Sequence, residues 1–269
     1  MQCKNGSFFI PRFLYKYCRF NAYWKDIFED QRLYMPSPDE LNDPFEGKLL
    51  PIESGTAGNI ISLKAGQYNR EAKQYLSNYR ILSLSANIRN KAMWAYYAEN
   101  YCGFAIQFNT SSENFSSARR VLYRPNYEIN HLHHLGKVSR EDKLTHMLEE
   151  SLFYKSKDWE NEEEFRIIKK SENRSGKAFQ SFVPEDVSGI ILGAGLNLDY
   201  HEYSPNVSDE KMQEYRQNVD DLKGYAQKWE VPIYCSWPVP LYSTIEFYEQ
   251  NVHPRLDGSS YRTWCQDDF

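Results

Sequence analysis

Residues 155–168 read KSKDWENEEEFRII, and the fold turns on where the apolar period changes inside them. Upstream, residues 142–154 carry Leu144, Met147, Leu148 and Leu152 at helical spacing, which predicts an amphipathic helix delivering the chain to Trp159. Beyond Trp159 the apolar spacing falls to two. That predicts a strand with Phe165 and Ile167 on one side and Glu162, Glu164 and Arg166 on the other. Two carboxylates about 6.6 Å apart on one strand face repel each other, and a guanidinium follows them. Taken alone, the stretch is either a solvated edge with an internal Glu–Arg ladder or a face compensated by a ligand, and the solvated edge is the plainer reading.

The 269 residues suffice for one large domain or a domain with a helical appendage. Aromatic residues reach 16 %, led by 21 Tyr and 15 Phe, which points to amphipathic packing and pocket walls rather than a Leu-rich bundle. A formal net charge of -5 with no long basic block argues against a duplex nucleic-acid binder. Five scattered cysteines lack the paired spacing of a zinc site. With no signal peptide and no long apolar run, the expectation is a reduced, cytoplasmic protein with no membrane partner.

Around that stretch, alternation and turn chemistry place the remaining elements. An aromatic-rich first strand spans residues 8–20, with Leu14 and Lys16 on one face and Tyr15 and Tyr17 on the other. Lys16 and Arg19 beside aromatic rings suit a nucleotide or a carboxylate, and equally suit snorkelling from a sheet edge. Pro36, Pro38 and Pro44 fix turns around Asn42, Asp43 and Glu46, an acidic loop that either flanks a site or builds an Asx-turn. A surface helix is expected over 64–79. Residues 81–85 then alternate cleanly, with Leu82 and Leu84 inward and Ser83 and Ser85 outward, leaving room for a ligand or simply facing solvent.

Residues 90–100 predict a helix with Met93, Trp94, Tyr97 and Ala98 along one face, and Tyr96 or Tyr97 is placed to stack on a planar ligand. A strand follows from Gly103 to Phe108, and a short one at Val121–Tyr123. His131, His133 and His134 lie in a polar linker without the helical context of a metal motif. Residues 187–193 form a buried strand, and 209–228 a charged helix capped by Ser208. Residues 231–235 are a last strand, marked as an edge by Pro232, with irregular structure from Trp237 onward. The fold class is therefore α+β, a curved mixed or antiparallel sheet of about six or seven strands with packed helices. Residues 1–200 form the core domain, and 201–269 a C-terminal helix, edge strand and irregular tail packed on it.

In order along the chain, Leu14-Tyr15-Lys16-Tyr17, Pro36-Ser37-Pro38 with Leu41-Asn42-Asp43-Pro44-Phe45-Glu46, Leu82-Ser83-Leu84-Ser85, Met93-Trp94-Ala95-Tyr96-Tyr97-Ala98 with Gly103-Phe104-Ala105-Ile106, Val121-Leu122-Tyr123, Trp159-x-x-Glu162-x-Glu164-x-Arg166 and Ile190-Ile191-Leu192-Gly193 resemble a widespread bacterial domain family of unknown function. A second resemblance is to ADP-ribosyltransferases, which carry a cation on a first strand, a serine-containing strand, and a later Glu-x-Glu. Here those are Lys16 between Tyr15 and Tyr17, then Ser83 and Ser85, then Glu162 and Glu164.

This second resemblance implies a split sheet and NAD as the ligand, with no metal. Glu164 would be the catalytic carboxylate and Glu162 the acceptor-side one. Lys16, Tyr17 and Arg19 would bind the nucleotide, Ser83 and Ser85 would floor the nicotinamide pocket, and Trp94 or Tyr97 would line it. Apart from the resemblance, Arg166 is read as a further ligand-binding residue, and Asn42, Asp43, Glu46 and Trp159 as structural or site-flanking. Two departures stand out: lysine replaces the usual Arg or His, and Arg166 sits one strand step from Glu164, keeping that carboxylate ionised. The functional expectation is an NAD-consuming enzyme, a transferase acting on a macromolecular acceptor or a glycohydrolase, in a bacterial defence or toxin setting. The alternatives are a non-catalytic ligand-binding or regulatory module, and a nuclease in which Asp43, Glu46, Glu162 and Glu164 meet on a divalent metal.

Overall fold

A computed structural model describes residues 10–43, 72–124, 140–171, 176–196, 208–239 and 244–249. Glu46 and the histidines 131–134 lie outside the described residues. Seven strands of six or seven residues form the main sheet: β1 (Phe13–Cys18), β3 (Tyr79–Ser85), β4 (Phe104–Asn109), β8 (Glu164–Lys170), β10 (Val187–Leu192), β11 (Ile233–Val239) and β12 (Thr244–Glu249). A two-residue strand, β5 (Arg119–Arg120), closes one edge. The order is β12-β11-β10-β4-β1-β3-β8-β5, all antiparallel except β10 with β11. The fold is thus mixed α+β, as the alternation of the sequence predicts. Two small sheets pair β2 (Arg32–Met35) with β9 (Ala178–Ser181), and β6 (Leu122–Arg124) with β7 (Tyr154–Ser156).

One face of the main sheet carries the larger apolar core. Leu14, Leu82, Leu84, Phe104, Ile106, Phe165 and Ile167 point into it from four strands. The lid over this face includes α1 (Trp24–Glu29) and α4 (Asp209–Trp229), the latter capped by the Ser208 side chain accepting from the Lys211 amide. Tyr215, Val219, Leu222, Ala226 and Trp229 recur every three or four residues of α4, so one stripe is apolar and buried. Trp229 meets Phe28 at 5.1 Å and Phe182 at 5.9 Å. Each such ring buried contributes about 1.5–3 kcal/mol.

Several boundaries differ from the sequence reading, for local reasons. The helix expected over 142–154 is α3 (Arg140–Ser151), and Tyr154 already belongs to β7. Of the helix expected over 64–79, residues 72–76 are helical, but 77–78 form a turn and Tyr79 already opens β3; 64–71 lie outside the described residues. Glu162 does not share a strand with Glu164. It ends a 3-10 helix, Lys157–Glu162, after which Glu163 takes a left-handed φ of 45° and β8 begins at Glu164. The strand after α4 is neither last nor an edge. Pro232 sits just before it, with its carbonyl accepting from the Ile190 amide, so the missing N–H falls outside the ladder. β12 then occupies the edge, where irregular structure was expected.

The sheet opens between β1 and β3. These strands pair at a single position, Tyr15 with Ser85, whereas β3 pairs with β8 along its whole length. The part of the β3 edge that β1 leaves is used otherwise: the Ile81 amide donates to Pro36 O at 2.9 Å, and Ser83 O accepts from Lys16 Nζ at 3.1 Å. The segment after β2 is thereby drawn across the opening.

Candidate functional site

A cavity of about 170 Å³ lies at this opening, lined by Tyr15, Lys16 and Tyr17 of β1 and by Ser83 and Ser85 of β3. Pro36, Glu40, Leu41 and Asn42 wall it from the segment after β2, Met93 and Tyr97 from α2 (Lys91–Tyr97), and Lys155, Glu162, Glu164 and Arg166 complete its floor. β8 pairing puts Ser83 opposite Arg166 and Ser85 opposite Glu164, so the hydroxyls and charges share one face by register. Glu162 reaches the same hollow from the 3-10 helix. The Ser85 hydroxyl donates to Glu162 O at 2.7 Å and accepts from the Asn87 amide, tying that helix to β3.

The charges form one buried network. Arg166, 1 % exposed, grips Glu164 with both Nε (2.6 Å to Oε1) and Nη2 (2.9 Å to Oε2), and donates through Nη1 to Leu152 O. Lys155 Nζ lies between the two acids, 2.5 Å from Glu162 Oε2 and 3.3 Å from Glu164 Oε2, with the Trp159 ring 4.9 Å away. Tyr97 donates to Glu162 Oε1 at 2.8 Å, and the Tyr123 hydroxyl accepts from the Glu164 amide. Burial alone would push the Glu164 carboxyl up; Arg166 and Lys155, with hydrogen bonds from Arg166 and Ser83, overcome it and hold the group at about 2. Burial lowers the Lys16 ammonium, opposed by Cys18 and Glu164, and raises the Tyr97 hydroxyl, with Glu162 adding to the rise. Burial also pushes the Cys18 thiol up to about 12, so it supplies no thiolate beside the cavity.

The two acids differ in what they still offer. A carboxylate has about four acceptor positions. On Glu164 they meet Arg166 twice, Lys155 and Ser83. Glu162 receives Tyr97 and Lys155, and its side chain is 9 % exposed at the cavity wall. Glu162 is the carboxylate with capacity left for a ligand.

Other residues singled out from the sequence sit elsewhere. Trp94 is fully buried, donates to Ile88 O and meets the Tyr17 ring edge-on at 5.0 Å, so it anchors α2 on β1 and does not line this cavity. Arg19 lies past the end of β1 and donates to Tyr96 O at a separate surface hollow, and Tyr96 is 62 % exposed there. Neither belongs with Lys16. Asp43 is buried but does not line the cavity, whereas its neighbour Asn42 does and bonds Tyr97. Of the nuclease set, Glu46 lies outside the described residues, and among the described residues no three His, Cys, Asp or Glu side chains converge to hold a metal. Lys155 and Tyr123 were missed. The signal for Lys155 was charge balance, because two acids against one guanidinium leave an anion that burial cannot tolerate. Alternation gave no way to prefer Lys155 over Lys157.

Residues 93–167 match the sequence model of DUF2971, a family described as a protein of unknown function. The match is confined to that segment, a little over a quarter of the chain. It runs from the start of the α2 cavity wall to β8 and supplies Tyr97, Lys155, Glu162, Glu164 and Arg166, while Lys16, Ser83 and Ser85 come from outside it. No curated protein and no solved structure matches the chain, so the likeness to ADP-ribosyltransferases gains no support there. Among the described residues, no helix is long and apolar enough to cross a membrane.

Proposed function

We propose that the cavity at the β1–β3 opening receives the ribose end of NAD and that the protein cleaves its bond to nicotinamide, passing ADP-ribose to water or to a macromolecular acceptor. The observation that carries this reading is convergence: Lys16, Ser83, Ser85, Glu162 and Glu164, from segments far apart in sequence, line one hollow. At about 170 Å³ it is smaller than the roughly 300–1,000 Å³ that takes a drug-sized ligand, so it suits one sugar or ring rather than a whole dinucleotide.

In this reading the glycosidic bond breaks with its electron pair leaving on nicotinamide, and the sugar carbon becomes oxocarbenium-like before water or an acceptor adds and loses a proton. An ionised carboxylate stabilises that cation. Glu162 takes the part, because Glu164 is filled by Arg166, Lys155 and Ser83, so the roles implied by the resemblance are exchanged. Lys155 and Tyr97 fix the Glu162 oxygens, and Glu164 with Arg166 holds Lys155 in place. Supply of NAD places such a protein in the cytoplasm.

The test is nicotinamide release from NAD with cell lysate as acceptor. Wild type should release it, and Glu162→Gln should lower the rate about a hundredfold or more at a temperature where the variant is still folded. Absence of release above the Glu162→Gln level overturns the reading. The saturated Glu164 favours one other reading, a binding module whose buried ion cluster only braces the pocket; NAD would then raise the melting temperature without being consumed.

A further inference from the structure

The charges lining the cavity balance only when Glu40 at its exposed mouth is counted. Lys16, Lys155 and Arg166 face it as cations, against the buried carboxylates of Glu162 and Glu164. Glu40 stands at the mouth on an exposed turn, its carboxylate held by the Tyr34 hydroxyl and by the Ser37 amide and hydroxyl. Lys155 and Arg166 are committed to the two buried acids. Lys16 has no carboxylate within ion-pair distance among the described residues. Among the described residues its ammonium makes one hydrogen bond, to Ser83 O, out of the three it can donate. A neutral donor would satisfy that carbonyl as well, without the cost of bringing a charge into a cavity wall.

We propose that Lys16 anchors an anionic group of the ligand, a phosphate, inside the cavity, with the hydroxyls of Ser83 and Ser85 on the same floor. The inference rests on the reading above for the cavity's being the ligand site, and on no cleavage step. It deepens that reading by naming the portion bound: a sugar carrying its phosphate enters, the phosphate towards Lys16 and the sugar towards Glu162. Lys16 sits where the two strands part, so an anion held there also spans the opening between β1 and β3.

Calorimetric titration of the full chain with inorganic pyrophosphate and, separately, with uncharged nicotinamide-free ribose tests this. Wild type should bind pyrophosphate, Lys16→Met should bind it roughly ten- to hundredfold more weakly, and Lys16→Arg should recover most of the loss. Equal affinity in wild type and Lys16→Met, or no pyrophosphate binding by wild type, overturns the proposal. If Lys16→Met does not fold, wild type alone decides: pyrophosphate should raise its melting temperature and ribose at equal concentration should not. Nicotinamide release without pyrophosphate binding would sink the anion site and leave NAD cleavage standing; pyrophosphate binding without release would do the reverse.

Discussion

The two faces of the main sheet are built from the same strands by opposite means. On one, Leu82, Leu84, Phe165 and Ile167 of β3 and β8 pack with Phe104 into an apolar core. On the other, the intervening Ser83, Ser85, Glu164 and Arg166 line a cavity and hold a buried ion network. The first face is cohesive by area and indifferent to pH. The second depends on every charge keeping its partner, because a buried ion left alone costs more than the pair ever contributes. A protein that retains such a face beside a hollow is maintaining an arrangement of charges rather than maximising stability.

Truncating each face should expose the difference. Phe104→Ala should destabilise by about 3–5 kcal/mol through lost transfer energy and a cavity. Arg166→Met should cost a similar amount, about 3–5 kcal/mol, by stranding Glu164 with Lys155 alone. Urea unfolding at pH 7 and again at pH 3 separates the causes. The loss for Phe104→Ala should be the same at both, whereas the loss for Arg166→Met should shrink at pH 3, where its unpaired Glu164 can take a proton. Equal losses for Arg166→Met at the two values would break the contrast.

The next effect belongs to wild type itself. The Glu164 carboxyl is held at about 2 in the fold against an ordinary value of 4.5. Its folded value is depressed, so its contribution is fully present above the ordinary value and is lost as pH falls from there towards 2. The amount is on the order of 3 kcal/mol. Stability measured between pH 5 and pH 2 should fall accordingly, and Glu164→Gln, though less stable at pH 7, should fall by less across the same range. Parallel slopes would mean that Glu164 is not the group being titrated.

Much of this contrast was legible in the sequence. Period-two alternation in residues 81–85 and 164–168 assigned Leu82, Leu84, Phe165 and Ile167 to one face and Ser83, Ser85, Glu164 and Arg166 to the other, because a pleated strand has no other choice. What alternation could not reach was anything off the strand. Glu162 was read two positions back along the same strand, yet a left-handed Glu163 turns the chain, and it reaches the cavity from a helix. Trp94 and Tyr97 share the same helical spacing. Tertiary packing buries the first in an apolar cluster with Tyr15 and Tyr17 and leaves the second at its margin, beside the cavity, where its hydroxyl finds a carboxylate. Arg19 followed Lys16 closely enough in sequence to be grouped with it, but β1 ends at Cys18 and the chain turns away.

Tyr97→Phe is the mildest way to sharpen the comparison, since it removes one oxygen and leaves every charge in place. The hydroxyl donates to Glu162 Oε1 at 2.8 Å, and a hydrogen bond to a charged acceptor is worth about 1.5–3 kcal/mol. Glu162 is not fully enclosed, so water entering the cavity can replace the lost donor, and the stability loss should lie at the lower end, about 1.5 kcal/mol. Its effect on ligand handling should be different in kind. Glu162 would keep Lys155 on Oε2 but lose the bond that orients Oε1, so nicotinamide release should slow while pyrophosphate affinity, set by Lys16 across the cavity, stays within twofold. Loss of both together would mean that Tyr97 supports the pocket as a whole rather than one carboxylate oxygen.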